Sequence, residues 1–220
     1  MDKNLHSMVR REVKSRHTVW AAKGAELLFR CGVKPNTISI AGAVFALIGG
    51  AAAVGSFYLP CAGKCWLLLI TLLMIQLRLL CNLFDGMVAV EWNCKSASGE
   101  LFNDFPDRLS DSFLLIGCGF ACGTQWGWIL GFAAAVTAML TAYVRVLAGA
   151  AGAEQRFLGP MAKQHRMAVL TITALAGAAE GFFTGHQYYA LGCGLGIILI
   201  GSIITVFRRL WAAYCDLEQK

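Results

Sequence analysis

Six apolar runs, each about long enough to cross a bilayer, constrain this chain more than any other feature. A span needs about 20 consecutive, mostly apolar residues. Runs of that kind lie at roughly 36 to 58, 65 to 90, 100 to 122, 126 to 149, 164 to 184 and 188 to 208. Backbone polar groups find no water in hydrocarbon, so such runs must become helices. Hydrophobic residues make up 57% of the 220 and charged residues only 15%, whereas soluble domains are roughly 45–50% apolar. The expected fold is therefore all-α: a polytopic membrane protein whose six transmembrane helices form one bundle. The 24 glycines, with many alanines, favour close helix contact, and no internal repeat is evident.

The charges support this reading. A net charge of +6 would suit nucleic acid only if the basic residues followed a soluble face, and here they crowd at the ends of apolar runs, as in membrane proteins. No nucleic-acid partner is expected; membrane lipids are. Residues 1 to 33 alternate Arg10, Arg11, Lys14, Arg16, Lys23 and Arg30 with Leu5, Val9, Val13, Trp20, Leu27 and Leu28. This pattern predicts an amphipathic helix lying on an anionic leaflet, with a solvated basic tail as the alternative for residues 1 to 15. The predicted division is an interfacial segment at 1–33, the six-helix domain at 34–210 and a tail at 211–220, with Pro35 suited to the first turn of the first span.

Eight basic residues precede that span, whereas the turn after it holds only Lys64 and the turn near 123 to 125 holds none. Both termini are thus expected in the cytoplasm, most simply at a bacterial inner membrane. The opening residues show no apolar run ahead of a small-residue cleavage site, so no signal peptide is expected. Nine cysteines lack metal-site spacing and read as packing residues, although Cys61 and Cys65 are close enough in sequence to pair in an oxidising compartment.

Against this apolar background, residues 82 to 111 stand out, because acids and amides within a membrane mark function by default. Asn82, Asp85 and Ala89 share one face of the second run, and Gly99, Asn103, Asp107 and Asp111 share one face of the third. Antiparallel packing of two runs joined by a short turn would bring these faces together. The expected result is a pocket of Asp85, Asp107, Asn82 and Asn103, with Asp111 one turn deeper. Oxygen donors without imidazole or thiolate select hard cations such as Mg²⁺ or Mn²⁺. Gly86, Ala89 and Gly99 keep the walls thin. Arg78 lies one turn deeper on the same face as Asn82 and offers a counter-ion or a phosphate contact. Arg145, Lys163 and Arg166 lie at the same predicted membrane surface and could bind a phosphate or simply anchor their helices. Trp126, Trp128 and Tyr188 suit an outer aromatic belt, and His165 reads as an interfacial histidine.

These residues resemble the signature of the CDP-alcohol phosphotransferase family, DxxDGxxAR followed after eight residues by GxxxDxxxD. Asn82, Asp85, Gly86, Ala89, Val90, Gly99, Asn103 and Asp107 occupy its positions with every gap preserved, including the eight residues after Val90. Lys34 to Ser39, KPNTIS, is similar to the family's usual lead into the first span. The resemblance implies a transferase of phospholipid synthesis that moves a phosphatidyl or related group from a CDP-linked lipid, CDP-diacylglycerol by default, to an acceptor hydroxyl with release of CMP. It also implies one or two Mg²⁺ or Mn²⁺ ions on Asp85, Asp107, Asn82, Asn103 and Asp111, and Asp107 as catalytic base. Asn36, Ser39, Gly86, Ala89 and Gly99 would contact the CDP moiety. Arg145, Lys163, Arg166 and Arg78 would meet a small polar or phosphorylated alcohol. Dimers are common in the family, and the Gly/Ala-rich spans suit a homodimer.

The chain departs from the signature at Asn82 and Asn103, where the family has aspartates, and at Val90, where it has arginine. Each asparagine keeps an oxygen but removes a negative charge, leaving open one metal rather than two, weaker affinity, or recruitment of Asp104 or Asp111. The alternative function is a catalytically weakened lipid- or nucleotide-binding protein on the same scaffold. An intramembrane prenyltransferase differs in motif spacing, and a transporter would be expected to show broken-helix repeats.

Overall fold

The computed structural model describes residues 18–94, 96 and 98–219, and every regular element among them is helical. In chain order these are α1 (Val19–Arg30), α2 (Pro35–Tyr58), α3 (Cys61–Glu91), α4 (Gly99–Ala121), α5 (Gln125–Ala150), α6 (Lys163–Thr184) and α7 (Tyr188–Glu218). Each expected run is therefore one helix. Pro35 begins α2, where its missing N–H costs nothing. The helix α7 continues through 208 to Glu218, so most of the stretch expected as a tail is helical.

Five helices, α2, α3, α5, α6 and α7, are long and apolar enough to cross a membrane, and the chain is an integral membrane protein. The expected sixth span, α4, has 23 residues but carries Glu100, Asp104, Asp107 and Arg108 in its first half and Asp111 at its middle, and it is not among the helices apolar enough to cross. One side of it is covered by protein: α4 packs on α2 and α5 and touches α7, burying Asp107, Ser110, Asp111, Leu114 and Leu115, while Leu101 and Phe105 of its first turns stay exposed. Pro106 lies inside α4 and withholds one backbone donor from the helix.

Small residues let the helices approach closely. A Cβ on Gly117 would lie 2.6 Å from the Gly50 carbonyl oxygen, and one on Gly50 would lie 2.5 Å from the Phe113 carbonyl oxygen, so α2 and α4 meet backbone to backbone. Gly119 and Gly131 make the corresponding approach between α4 and α5, at 2.8 Å. Leu68, Ile75, Leu114, Leu115, Leu170, Leu191, Leu195 and Ile198 fill the core with no exposed surface. Val44, Leu47 and Ile48 of α2 and Ile200, Ile204 and Phe207 of α7 face outward, as expected where the surroundings are lipid.

Two polar devices fix the ends of the bundle. Glu180 of α6 accepts from the backbone N–H groups of Tyr189 and Ala190, at 3.2 and 2.7 Å, capping the start of α7 from a neighbouring helix. At the other end, Arg209 donates to the carbonyls of Leu158 and Thr141, at 2.9 and 2.5 Å. Thr205 accepts from the N–H of Met161 at 3.0 Å. These bonds pin the loop before α6 against α7. The expected interfacial segment is described only from residue 18. Its helix α1 buries Ala21 and Ala25 and packs on α3, with Gly24 against the Phe84 ring; residues 1–17 lie outside the described residues. All nine cysteines are free, Cys61 and Cys65 included.

Candidate active site

The polar residues of α3 and α4 meet across a gap. Although the connection between these helices is short, they do not pack along their lengths; α2 lies against both and α6 lies against α3. Arg78, Asn82 and Asp85 sit at helical spacing on α3, and Asp107 and Asp111 one turn apart on α4. Lys163 and Arg166 enter from the start of α6. The sequence pattern identifies the two acidic faces, but the α6 cations reach them only through the tertiary fold.

Asp111 is buried between two guanidinium groups. Arg78 Nη2 lies 2.7 Å from Asp111 Oδ1, and Arg166 Nη2 lies 2.7 Å from Oδ2. Arg166 also donates to the Met161 carbonyl at 3.0 Å and to the Thr141 hydroxyl at 3.2 Å. Both arginine side chains are essentially inaccessible, at 0% and 1%. A carboxylate so engaged is the centre of a structural triad rather than a free ligand.

Nearer the helix ends, Asp107 Oδ1 accepts from Asn82 Nδ2 at 2.7 Å. The Lys163 ammonium donates both to Asp107 Oδ2 and to Asn82 Oδ1, bridging α3, α4 and α6. Arg78 Nη2 is 3.6 Å from Asp107 Oδ1. Asp85 is buried too and accepts from the Ser39 hydroxyl of α2 at 2.7 Å. It has no ion-pair partner among the described residues, yet lies close enough to Asp107 and Lys163 to feel their charges. Three acids, Asp85, Asp107 and Asp111, thus face three cations, Arg78, Lys163 and Arg166.

The remaining candidates lie around this cluster. Asn103 is exposed in the first turns of α4, and no hydrogen bond involves its side chain among the described residues, so it stands apart from the Asp107 contacts. Arg145 is drawn to Asp104 at 2.7 Å and lies over the Phe157 ring at 5.2 Å, so it does not converge with Arg78 and Arg166. Asn36 Nδ2 donates to Ser96 Oγ at 3.3 Å, joining the start of α2 to the α3–α4 turn. Gly86, Ala89 and Gly99 are half-buried, and Val90 points outward at 47% exposure. His165 Nδ1 lies 2.8 Å from the Pro160 carbonyl.

Two cavities lie at this end of the bundle, and the larger is lined in part by cluster residues. One of about 290 Å³ lies between the α1–α2 turn and the α3–α4 turn, beside Phe29, Lys34, Asn36 and Ser96. A groove of about 730 Å³ runs between α3 and α6, with Asn82 and Lys163 at one end and Leu79, Leu83, Ala168 and Ile172 along its walls. Gln76 and Thr171, bonded at 2.8 Å, also line it. Their role escaped the sequence reading because each is a single polar residue within an apolar run.

The donor chemistry suits one hard divalent ion. Asp85, Asp107 and Asn82 supply carboxylate and amide oxygens, whereas Asn103 is exposed and Asp111 is engaged by two arginines. Among the described residues, no three His, Cys, Asp or Glu side chains gather at metal-binding spacing.

No protein-family model matches the chain. It is 30% identical over 191 residues to an uncharacterized protein of Aquifex aeolicus, a match spanning 86% of each chain. The two belong to one family. The fold is shared with the phosphatidylinositol phosphate synthase of Mycobacterium tuberculosis, a member of the CDP-alcohol phosphotransferase family. The crystal structure of that synthase with CDP-DAG bound has a TM-score of 0.70 at 22% identity, with 88% of this chain and 93% of the synthase covered. Its complex with manganese and citrate gives 0.68 at 23% identity, covering 88% of each chain. The apo form gives 0.63 at 23% identity, covering 87% and 95%.

Proposed function

We propose that this protein is a membrane-embedded phosphotransferase of phospholipid synthesis, transferring a phosphatidyl or related group from a CDP-linked lipid to an acceptor alcohol with release of CMP. The observation that carries the reading is the cluster of Asn82, Asp85 and Asp107, at the signature's spacing, in the fold of a synthase crystallised with CDP-DAG. The chemistry is positioning and charge neutralisation at phosphorus. Asp107 accepts the proton of the acceptor hydroxyl, whose oxygen forms a bond to the β-phosphorus as the bond to the CMP oxygen breaks. CMP departs with that electron pair, and Asp107 returns its proton to water. Asn82 holds the Asp107 carboxylate through its amide, and Ser39 orients Asp85.

One Mg²⁺ or Mn²⁺ held by Asp85, Asp107 and Asn82 would supply positive charge to the diphosphate oxygens when bound. The apolar groove between α3 and α6 suits the donor's acyl chains, because it leads from lipid to Lys163 and Asn82. The smaller cavity beside Asn36 suits the nucleotide. The basic flanks favour a cytoplasmic face for the site. With Arg145 engaged by Asp104 and Arg78 and Arg166 sealed against Asp111, the accessible cation left for a small polar alcohol is Lys163.

Purified protein given radiolabelled CDP-diacylglycerol, a panel of alcohols and Mg²⁺ or Mn²⁺ tests the proposal. CMP and a new phosphodiester lipid are expected, and Asp107→Asn should abolish both while the protein still inserts and folds. Substantial turnover by Asp107→Asn would remove Asp107 as base, and no CMP with any alcohol or metal would remove the transferase reading. The Lys163 bridge, which ties the expected base to Asn82, favours a second reading: a protein that binds CDP-lipid without turning it over. That reading is left standing if the donor binds but no CMP appears.

A further inference from the structure

The Lys163 ammonium lies where oxygens of Asn82 and Asp107 converge, and these are two of the three donors suited to a divalent ion. Lys163 differs from the other cations of the cluster. The Arg78 and Arg166 side chains are sealed at 0% and 1% exposure, but that of Lys163 is 21% exposed. Lys163 is the first residue of α6 and lines the α3–α6 groove with Gln164, so its flexible stem has open space to enter without unpacking a helix.

We infer that Lys163 and a divalent cation are alternative occupants of one seat on Asn82 and Asp107, so that metal binding at this site is an exchange reaction that expels the lysine. The inference rests on the proposed metal-assisted reading of the site and adds a residue that sets its metal affinity. With Lys163 inward, three acids balance three cations and the cluster needs no further charge. With Lys163 outward, three acids face only two arginines, Asp107 keeps just the 3.6 Å contact with Arg78 and Asp85 has no ion-pair partner, so the cluster is left with net negative charge, a costly state in a low-dielectric site that a divalent ion relieves. The asparagine at position 82 suits such a device, since its carbonyl oxygen accepts from an ammonium and can also bind a metal. An aspartate there would hold the ion more firmly.

Mn²⁺ binding to the purified full chain, without nucleotide or lipid, tests this through the loss of the free Mn²⁺ signal in electron paramagnetic resonance. Lys163→Met should bind Mn²⁺ about tenfold or more tightly than the wild type, because the competing charge is gone, whereas Lys163→Arg, which keeps the charge, should gain nothing. Equal affinity in the wild type and Lys163→Met, or no binding by either, overturns the inference. Should Lys163→Met fail to fold, the wild type alone decides: acylation of Lys163 by acetic anhydride, followed by mass spectrometry, should accelerate several-fold as Mn²⁺ saturates the site, and an unchanged or slower rate overturns the exchange. Neither readout uses turnover, so absence of CMP release would count against the transferase reading alone.

Discussion

Asp111 shows how one residue's role depends on partners far away in sequence. From spacing it belongs to the same α4 face as Asp107 and could serve as a ligand, yet Arg78 and Arg166 each hold one of its oxygens at 2.7 Å. Arg78 is visible as a helical neighbour of Asn82, but Arg166 is 55 residues from Asp111, beyond the reach of any periodicity. Removing the carboxylate leaves two buried guanidinium groups facing each other. Asp111→Ala should therefore cost about 3–5 kcal/mol, read as a lowered melting temperature in detergent, with loss of activity following loss of fold. At Asp107 the order reverses: Asp107→Asn preserves the Asn82 contact and should melt near the wild-type temperature while losing transfer.

Among the elements, α4 carries the strongest conflict between sequence and environment. Its first half is too charged to face lipid, and its buried side is held by α2 and α5 while arginines from α3 and α6 meet its acids. That packing depends on Gly50 and Gly117, whose backbones touch. Gly117→Ala puts a methyl group 2.6 Å from the Gly50 carbonyl oxygen, and the resulting overpacking should cost about 1–3 kcal/mol, measurable by unfolding in mixed micelles. Displacing α4 from α2 should also loosen the contact between Asp107 of α4 and Asn82 of α3, weakening Mn²⁺ binding. Glycine and alanine content pointed to tight packing, but not to which glycines meet. Arg209 was legible only as a positive flank; in the fold it is buried and holds the α5–α6 loop that delivers Lys163.

For the whole molecule, the helices divide the chain into two ends. Cys61 lies at the start of α3 and Cys94 just past its end, and both are exposed. From the asymmetry of basic residues we propose that the Cys94 end, with the acidic cluster, faces the cytoplasm. In single-cysteine variants, a membrane-impermeant thiol reagent added to intact cells should label Cys61 and spare Cys94; the reverse pattern would invert the topology and expose the site to the other compartment.

The sequence by itself determined the all-helical class, the approximate limits of α2 to α6, the membrane environment, and the two faces that carry Asn82, Asp85 and Asp107, because hydropathy and helical periodicity are local properties. Only the tertiary structure decided that α3 and α4 stand apart with α2 against both, that Asp111 is sealed by two arginines, that Arg145 is taken up by Asp104, and that Lys163 occupies the gap between Asn82 and Asp107. Those outcomes depend on which buried charges find each other across distant segments. In a medium with little water to solvate an unpaired ion, each charge is settled by whichever partner the packing brings within reach.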